Sequence, residues 1–388
     1  MVRPFAACAA PSPPIFRGSS LTKLCTAIGR CAACVTPGMT TMSVASWHGV
    51  SMTGTERESG LRVLPAADVP AWDAAVWAQA RGGIFAASGW GTYKARRGAE
   101  IARLQVVDES GDLVGLAQVQ LRRRGPARQA YIQGGPLLTD KGERQGEAVV
   151  RALLAHLALG PLDLVVVDFA RAESPGAVLG LLATGFKPVT TAGRHTLEVD
   201  LTGGVDAFLA AADSRWRQRL RKAERNPALS VRFLDDPAER LAAFDAFTAM
   251  YAALKTRKGF SNDFDAAAYR DLAANDPRHV ILEIREDGET CLVRIAHLTR
   301  DRFTDFFTAS TERAKANAAA YLAVWSFLRR GAEEGCRVFD FGGIDPAGNR
   351  GVYDFKRGLT RNVASSGPLW LYGRSRLATA AAGAVLAR

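Results

Sequence analysis

The sequence predicts an α+β protein built from two similar units in tandem. Three observations lead there. Hairpin strands, a helix, a buried strand and a second helix are read in that order twice. The composition, 48% apolar and 23% charged over 388 residues, is that of a chain that buries a core, with room for two to three domains. No GxGxxG follows a strand and no GxxxxGK[ST] occurs, which argues against a dinucleotide fold or a P-loop.

The first unit is expected over 53–201. A short strand at Leu61–Leu64 precedes a helix at Val69–Ala80, for which Asp68 is the N-cap. Ile101–Val107, Leu113–Leu121 and Ala130–Gln133 read as strands, the first two joined by a turn at Ser110-Gly111-Asp112. A helix near Glu143–Leu159 leads to a buried strand at Leu162–Asp168, and a further helix ends at Gly185. One strand, Phe186–Leu201, closes the unit. The second unit is expected over 202–367, with residues 368–388 packing back on the first. It opens with a helix at Asp206–Arg225, a strand at Ser230–Leu234 and a long helix at Pro237–Lys258. Val280–Arg285 and Thr290–Leu298 flank the hairpin signal Glu286-Asp287-Gly288. Phe303–Thr308, a helix at Ala318–Glu334 and a buried strand at Val338–Phe341 complete the repeat.

Residues 1–52 differ from the rest. They carry Arg3, Arg17, Lys23 and Arg30 but no acidic residue, the first being Glu56, and they hold four of the six cysteines. They lack the continuous apolar core of a secretory signal and read as a disordered or over-called extension. Cys31 and Cys34 have CxxC spacing, but no second pair completes a zinc site, so no metal is expected. Nothing requires an oxidising compartment, and no stretch nears the roughly 20 apolar residues of a membrane span. A cytoplasmic protein is expected, in peripheral contact with the inner face of the membrane. Lysine and arginine exceed aspartate and glutamate by 50 − 39 = 11, an excess that suits a polyanionic partner.

Three segments carry candidate chemistry. In Ser214–Arg225, Arg215, Arg219 and Lys222 share one helix face and Arg217, Arg221 and Arg225 an adjacent one, while Leu220 and Ala223 pack inward. Arginine forks match phosphate oxygens. Ile84–Lys94 is an aromatic-rich loop holding Trp90 and Lys94. The strand Phe339–Phe341 breaks into Gly342-Gly343, where backbone can approach a ligand closely, and Tyr353, Phe355 and Lys356 follow. Catalytic triads find no support: no GxSxG occurs, and His156, His195, His279 and His297 fall where structural histidines sit. Asp168 and Asp340 are the carboxylates best placed for a base.

Taken together these segments resemble the FemA/FemB/FemX-like aminoacyltransferases over about residues 62 to 372. Phe85-Ala86-Ala87-Ser88-Gly89-Trp90-Gly91 with Lys94 is similar to that family's Phe-x-x-Ser-x-x-Trp…Lys entry. Tyr131–Pro136 and His195–Leu201 resemble two of its strands. Arg215-x-Arg217-x-x-Leu220-Arg221-Lys222-Ala223 resembles its basic helix, and Arg257-Lys258-Gly259-Phe260 and Asp340–Lys356 follow in order. The resemblance implies two GCN5-related N-acetyltransferase-like units. It also implies transfer of an amino acid from aminoacyl-tRNA to an amine of a peptidoglycan precursor, by ester aminolysis and without a cofactor. DNA is not an expected partner. By resemblance, Lys94 binds precursor phosphate with Trp90, Arg215, Arg217 and Arg257 as further substrate contacts. Tyr353 and Phe355 line the same site, and Phe355 and Lys356 serve the tRNA acceptor end and the charge formed in acyl transfer; Asp168, chosen for its strand-end position, is the catalytic carboxylate expected beside Lys356. Phe307 stands where the family has a tyrosine, which removes one hydroxyl contact. Only ten residues separate Lys258 from Tyr269, so a long helical arm is absent and the form is the compact, FemX-like one.

Two rivals remain. An N-acyltransferase using acyl-CoA needs a glycine-bearing pyrophosphate loop, yet Glu312–Ala318 has no glycine and Lys141–Gly146 has the wrong spacing. A non-catalytic protein binding RNA or an anionic membrane needs only the basic helix. On the transferase reading, Lys356→Ala folds normally and loses about a hundredfold in turnover, as expected when one oxyanion-stabilising donor is removed; Tm and initial rates measure the two halves of that expectation.

Overall fold

In the computed structural model, residues 60–171, 173–191, 194–259 and 264–387 are described. Residues 1–59, including the Cys31–Cys34 pair and the proposed extension, lie outside that range, as does Phe260. The described residues divide into two compact units: 60–194 with 365–387, and 195–364.

The first unit is a mixed eight-stranded sheet. Its order is Arg62–Pro65, Glu100–Val107, Leu113–Arg124, Ala127–Gln133, Leu164–Asp168, Leu369–Gly373 and Lys187–Val189, with Leu137–Leu138 pairing onto Leu113–Arg124. Ala127–Gln133 and Leu164–Asp168 run parallel, and the rest of the main path is antiparallel. A parallel pair needs a crossover, supplied here by the helix Gly146–Leu157. Strand alternation gives the sheet two different faces. Val119, Ala130, Ile132, Val165 and Val167 form an apolar core with Val149, Val150 and Leu153 of that helix and Ala177 and Leu181 of Pro175–Ala183. The opposite face is polar over its middle strands.

The second unit is a seven-stranded sheet in the order Asn362–Ser365, His195–Asp200, Val338–Gly343, Arg302–Ser310, Glu289–Leu298, His279–Glu286 and Leu229–Leu234. Val338–Gly343 and Arg302–Ser310 are its parallel pair, joined through the helix Ala319–Glu333. Leu282, Ile284, Leu292, Phe303, Phe339 and Phe341 pack on Phe208, Trp216 and Leu220 and on Val324, Phe327 and Leu328. The long helix Pro237–Lys258 and Ala266–Asn275 bring Phe244, Phe247 and Tyr269 together as a separate ring cluster.

The repeat of meander, helix and parallel strand is therefore present twice. Three local expectations need correction. Phe186–Leu201 is not one strand: Lys187–Val189 pairs with Leu369–Gly373 in the first sheet, and His195–Asp200 pairs with Val338–Gly343 in the second. The apolar alternation runs through both pieces and hides the change of sheet. The helix expected over Asp206–Arg225 breaks into Gly204–Ala211 and Ser214–Glu224, because Asp213 is extended (ψ 147°) and donates its N–H to Gly358. Trp90 and Lys94 lie on a helix, Ser88–Arg96, rather than in a loop. Asp73 accepts from both the backbone N–H and the hydroxyl of Ser88 and so fixes where that helix starts.

Gly146–Leu157 and Pro175–Ala183 cross backbone to backbone. A Cβ on Gly146 would stand 1.8 Å from the Gly176 carbonyl oxygen, and one on Gly180 2.3 Å from that of Gly146. No rotamer relieves a clash between main chains. We expect Gly146→Ala to force the helices apart and to destabilise the first unit by about 3 kcal/mol or more, the upper range of overpacking costs. Urea unfolding monitored at Trp72, Trp77 and Trp90 measures it; a change below 0.5 kcal/mol contradicts the crossing.

Candidate functional site

The second unit brings the strongest group together. Its parallel strands pair only from Arg302↔Val338 to Thr304↔Asp340. Beyond that point both are irregular: Arg302–Ser310 carries an extra residue at Phe306, and Val338–Gly343 another between Asp340 and Gly343. Gly342 takes φ +68°, and a Cβ there would lie 2.9 Å from the Asp305 carbonyl oxygen, so glycine is required. Bulges of this kind end pairing and leave backbone groups for other partners.

Lys356 supplies that partner. It sits on the helix Arg350–Arg357, whose outer side carries an Arg350–Asp354 ion pair at 2.9 Å. Its Nζ donates to the carbonyl oxygens of Phe341 (2.7 Å) and Gly343 (2.8 Å) and more weakly to Gly342 (3.4 Å). The lysine is buried, and that burial pushes its pKa down to about 8 against the pull of Asp305 and Asp340, with Arg294 adding repulsion. Arg294 holds Asp305 through two parallel hydrogen bonds, and Asp340 accepts from Thr196 Oγ1 and the Gly342 N–H. Thr196 Oγ1 also lies 2.7 Å from Gly342 O, and its single proton serves either that carbonyl or Asp340. When the lysine turns away, the Gly342 carbonyl can take the Thr196 proton at the expense of the bond to Asp340.

Aromatic rings adjoin this group. Phe355 packs edge-on to Tyr321 at 4.9 Å and lies 6.5 Å from both Phe341 and Trp216. Tyr353 is half-buried with Arg350 over its ring. Sequence reasoning chose Lys356, Tyr353 and Phe355 but not Tyr321, Trp216, Arg294 or Asp305. The apolar periodicity of Ala319–Glu333 hides Tyr321 as core, and Arg294 lies within an otherwise buried strand.

Other expected residues go elsewhere. Phe307 pairs across the ladder with Ile295 and Asp305 with Ala296, so the bulge at Phe306 turns Phe307 to the opposite sheet face from Asp305. There it packs with Phe264 (4.5 Å), Tyr269 and Phe247. Arg215 is exposed, as are Arg219 and Arg221, while Trp216, Leu220 and Ala223 face the core. Arg217 donates to the carbonyls of Ala210 and Ala212, ending the preceding helix rather than facing a ligand. Arg257 is ion-paired with Glu312.

In the first unit, the Trp90 indole donates to Gln133 Oε1 at 3.1 Å, and the Lys94 ammonium lies 4.7 Å from the Trp90 ring centroid. Such a cation–π contact holds the ammonium in place. Asp168 is not available as a base. Its Oδ1 accepts from Arg194 Nη2 (2.7 Å) and the Ala170 N–H (2.8 Å), and its Oδ2 from Tyr131 OH (2.8 Å). It ties a strand end to its neighbours, and the burial of Tyr131, with the Asp168 charge beside it, pushes the Tyr131 hydroxyl well above its ordinary pKa.

Among the described residues, Asp276, His279 and His297 have ligand atoms within 4.8 Å of one another. His279 uses both ring nitrogens on Asp276 (3.0 Å) and Tyr269 OH (2.7 Å), and Arg240 clamps the loop by donating to the carbonyls of Ala273, Asp276 and His279. Burial pushes His297 down to about 4. The group is a hydrogen-bonded core network. Cys291 and Cys336 are buried free thiols, pushed up to about 11 by burial. No helix among the described residues is long and apolar enough to cross a membrane.

Residues 211–357 match the acetyltransferase (GNAT) domain family. Among solved structures, FemX superposes with a TM-score of 0.67 at 15% identity, covering 80% of this chain and 97% of FemX. L-PGS from Bacillus licheniformis gives 0.55 at 15% identity, with 83% and 98% covered. A conserved protein of unknown function from Bacteroides thetaiotaomicron gives 0.54 at 10% identity, with 80% and 98% covered. No curated protein matches the chain. The likeness fixes the fold: α+β, with duplicated GNAT-like units.

Lys356 is now also a structural residue, which changes what its removal does. Lys356→Ala strips donors from buried carbonyls and lowers stability, so the expectation of an unchanged fold is withdrawn. A pH dependence follows as well. With a folded pKa near 8 and an unfolded one near 10.5, the unfolded chain binds more protons between those values, so stability rises with pH there. Relative to Lys356→Met, the native protein is expected to gain about 1.5 kcal/mol from pH 8 to 9.5, the slope rising towards 1.36 kcal/mol per unit as the folded lysine loses its proton. Parallel denaturation curves of the two proteins would remove this assignment of the ammonium.

Proposed function

We propose that this chain, a FemX-like protein of the GCN5-related acetyltransferase fold, is an aminoacyltransferase. In this reading it passes an amino acid from aminoacyl-tRNA to an amine of a peptidoglycan precursor. The observation that carries the reading is the buried Lys356 ammonium, tethered beside a bulged strand end. Aminolysis needs little from side chains. The neutral acceptor nitrogen attacks the ester carbonyl, an oxyanion forms, the carbon–ribose oxygen bond breaks, and the nitrogen's proton passes to the leaving ribose oxygen. The step asks for position and for a donor to the oxyanion. Lys356 can exchange its weak 3.4 Å bond to Gly342 for a substrate oxygen, because the Thr196 hydroxyl can turn from Asp340 to that carbonyl. A pKa near 8 also lets it give and regain a proton near neutrality.

The remaining parts supply binding. Exposed Arg215, Arg219 and Arg221 form a basic helix surface suited to RNA phosphates, and Lys94 over Trp90 suits the precursor phosphate. Tyr353 and Phe355, half-buried beside Lys356, suit the aminoacyl end. Arg217, Arg257, Asp168 and Phe307 have other occupations and are not assigned roles. We place the protein in the cytoplasm, in peripheral contact with the membrane where a lipid-linked precursor is held. A second reading, transfer from acyl-CoA, is favoured by the match of 211–357 to an acetyltransferase domain.

Purified protein incubated with a charged tRNA pool and lipid-linked precursor is expected to add one amino-acid mass to the precursor. Lys356→Arg should retain folding better than Lys356→Ala and transfer at an intermediate rate, since charge survives with altered geometry. Transfer from acetyl-CoA but not from tRNA selects the second reading. Wild-type kcat in folded Lys356→Ala would discard the lysine's role under either.

A further inference from the structure

The two ends of the first sheet differ in charge. At one end Ala127–Gln133 and Leu164–Asp168 start and Leu369–Gly373 stops, since Gln129 and Gly373 both pair with Leu164. The hairpin closed by Arg124↔Ala127 turns at that end, and it carries Arg122, Arg123, Arg124 and Arg128, of which Arg123 is exposed. Lys187, across from Leu371, opens its strand there, and Arg374 and Arg376 follow Gly373; all three are exposed. Pairing brings two acidic residues to the same end. Glu100 faces Leu121, and Asp163 is buried and tied to Arg128 at 2.7 Å. The opposite end holds Asp168 and the turn with Asp108, Glu109 and Asp112.

Apolar side chains stand among the cations. Leu162 is 47% exposed, two residues before Leu164, and Leu377 is 84% exposed in the first turn of the C-terminal helix Arg376–Leu386. That turn is held at the strand end: Ser375 Oγ accepts from the Ala378 N–H, and a Cβ on Gly373 would lie 2.7 Å from Thr379 Oγ1 and 3.2 Å from the Asp163 carbonyl oxygen. Leu182, 52% exposed, is in the last turn of Pro175–Ala183, where Leu181 O accepts from the Phe186 N–H just before Lys187. The two helices pack on opposite faces of the sheet, so exposed leucines come to this end from both faces.

Solvent-facing leucines gathered among arginines call for a partner that is anionic and apolar at once. A ribose-phosphate backbone answers the arginines but leaves the leucines in water. Among the described residues no exposed aromatic ring stands at this end for a base to stack on. The headgroup layer of an anionic bilayer answers both, with lipid phosphates for the cations and the acyl boundary for the leucines.

We propose that this end of the first unit docks on an anionic membrane surface. The hairpin arginines, Lys187, Arg374 and Arg376 meet lipid phosphates, and Leu162, Leu182 and Leu377 enter the boundary between headgroups and acyl chains. The acidic end then points away from the bilayer. This docking rests on the peripheral membrane contact of the functional reading and gives that contact a surface; it does not need the transfer step.

Flotation of the full chain with vesicles, without tRNA or precursor, is the test. Phosphatidylcholine vesicles carrying phosphatidylglycerol should bind the chain about tenfold more tightly than pure phosphatidylcholine, or better, and added salt should weaken binding. Arg374→Glu with Arg376→Glu should cost about tenfold or more on the anionic vesicles. Leu162→Ser with Leu377→Ser should cost about threefold or more, with an unchanged circular dichroism spectrum in both variants. Arg300→Glu with Arg329→Glu makes the same charge change at exposed sites of the second unit and should bind like wild type. Equal loss in the two arginine pairs would mean that net charge alone is read, and unchanged binding in the leucine pair that no side chain enters the lipid; either overturns the proposal. So does a failure to bind vesicles, or a loss of tRNA affinity in Arg374→Glu with Arg376→Glu that vesicle binding does not share, which gives the end to RNA. Vesicle binding by a chain that transfers nothing refutes the transferase reading and keeps the surface. Transfer to a soluble precursor analogue without vesicle binding does the reverse.

Discussion

One buried ammonium organises the second unit. The parallel strands at its centre stop pairing after three residue pairs, and beyond them the carbonyls of Phe341, Gly342 and Gly343 accept from Lys356. A neutral side chain would have to supply several donors from one position to satisfy them. Lysine can, and the cost of burying its charge shows in its depressed pKa. The surrounding ions follow from this. Asp305 and Asp340 offset the buried charge, and Arg294 and Thr196 in turn hold those carboxylates. A site that needs a reactive amine has the same requirements as a strand end that needs a donor.

The first unit meets the corresponding place differently. Its parallel strands stay paired through Gln133↔Asp168 without a bulge, and the Gly134 N–H continues the ladder to Asp168 O. No lysine is needed there, and a carboxylate locked between Arg194 and Tyr131 closes the strand end. Duplication of a fold has thus given two sheets with opposite local electrostatics. One end is a tethered cation beside open backbone; the other is a neutralised anion.

Much of this was legible in the sequence where a periodicity had only one meaning. The hairpin at Glu286-Asp287-Gly288, the helix Pro237–Lys258 and the inward face of Leu220 and Ala223 follow from local pattern alone. Lys356 and the glycines before it were visible because a charged residue after a broken apolar strand is unusual. What stayed hidden is non-local. That Arg217 caps a helix and Arg257 pairs with Glu312 depends on residues brought near by folding. The reversal of Phe307 depends on a single extra residue in a strand, which no alternation pattern reveals. Asp168 was read correctly as a strand-end acid, but its three donors come from three separate segments.

The strand Leu369–Gly373 lies between Leu164–Asp168 and Lys187–Val189, inside the first sheet rather than at its edge. The unit whose residues are synthesised first is therefore incomplete until residues 369–373 have been made. The second unit, continuous from 195 to 364, contains all of its own strands by then. Order of synthesis and order of completion are thus inverted. During that interval Leu164–Asp168 exposes a row of unpaired amides and carbonyls, the state in which edge pairing with other chains is easiest. A chain cut after residue 364 would be left in that state permanently, lacking both an interior strand of the first unit and the helix Arg376–Leu386 that packs beside it.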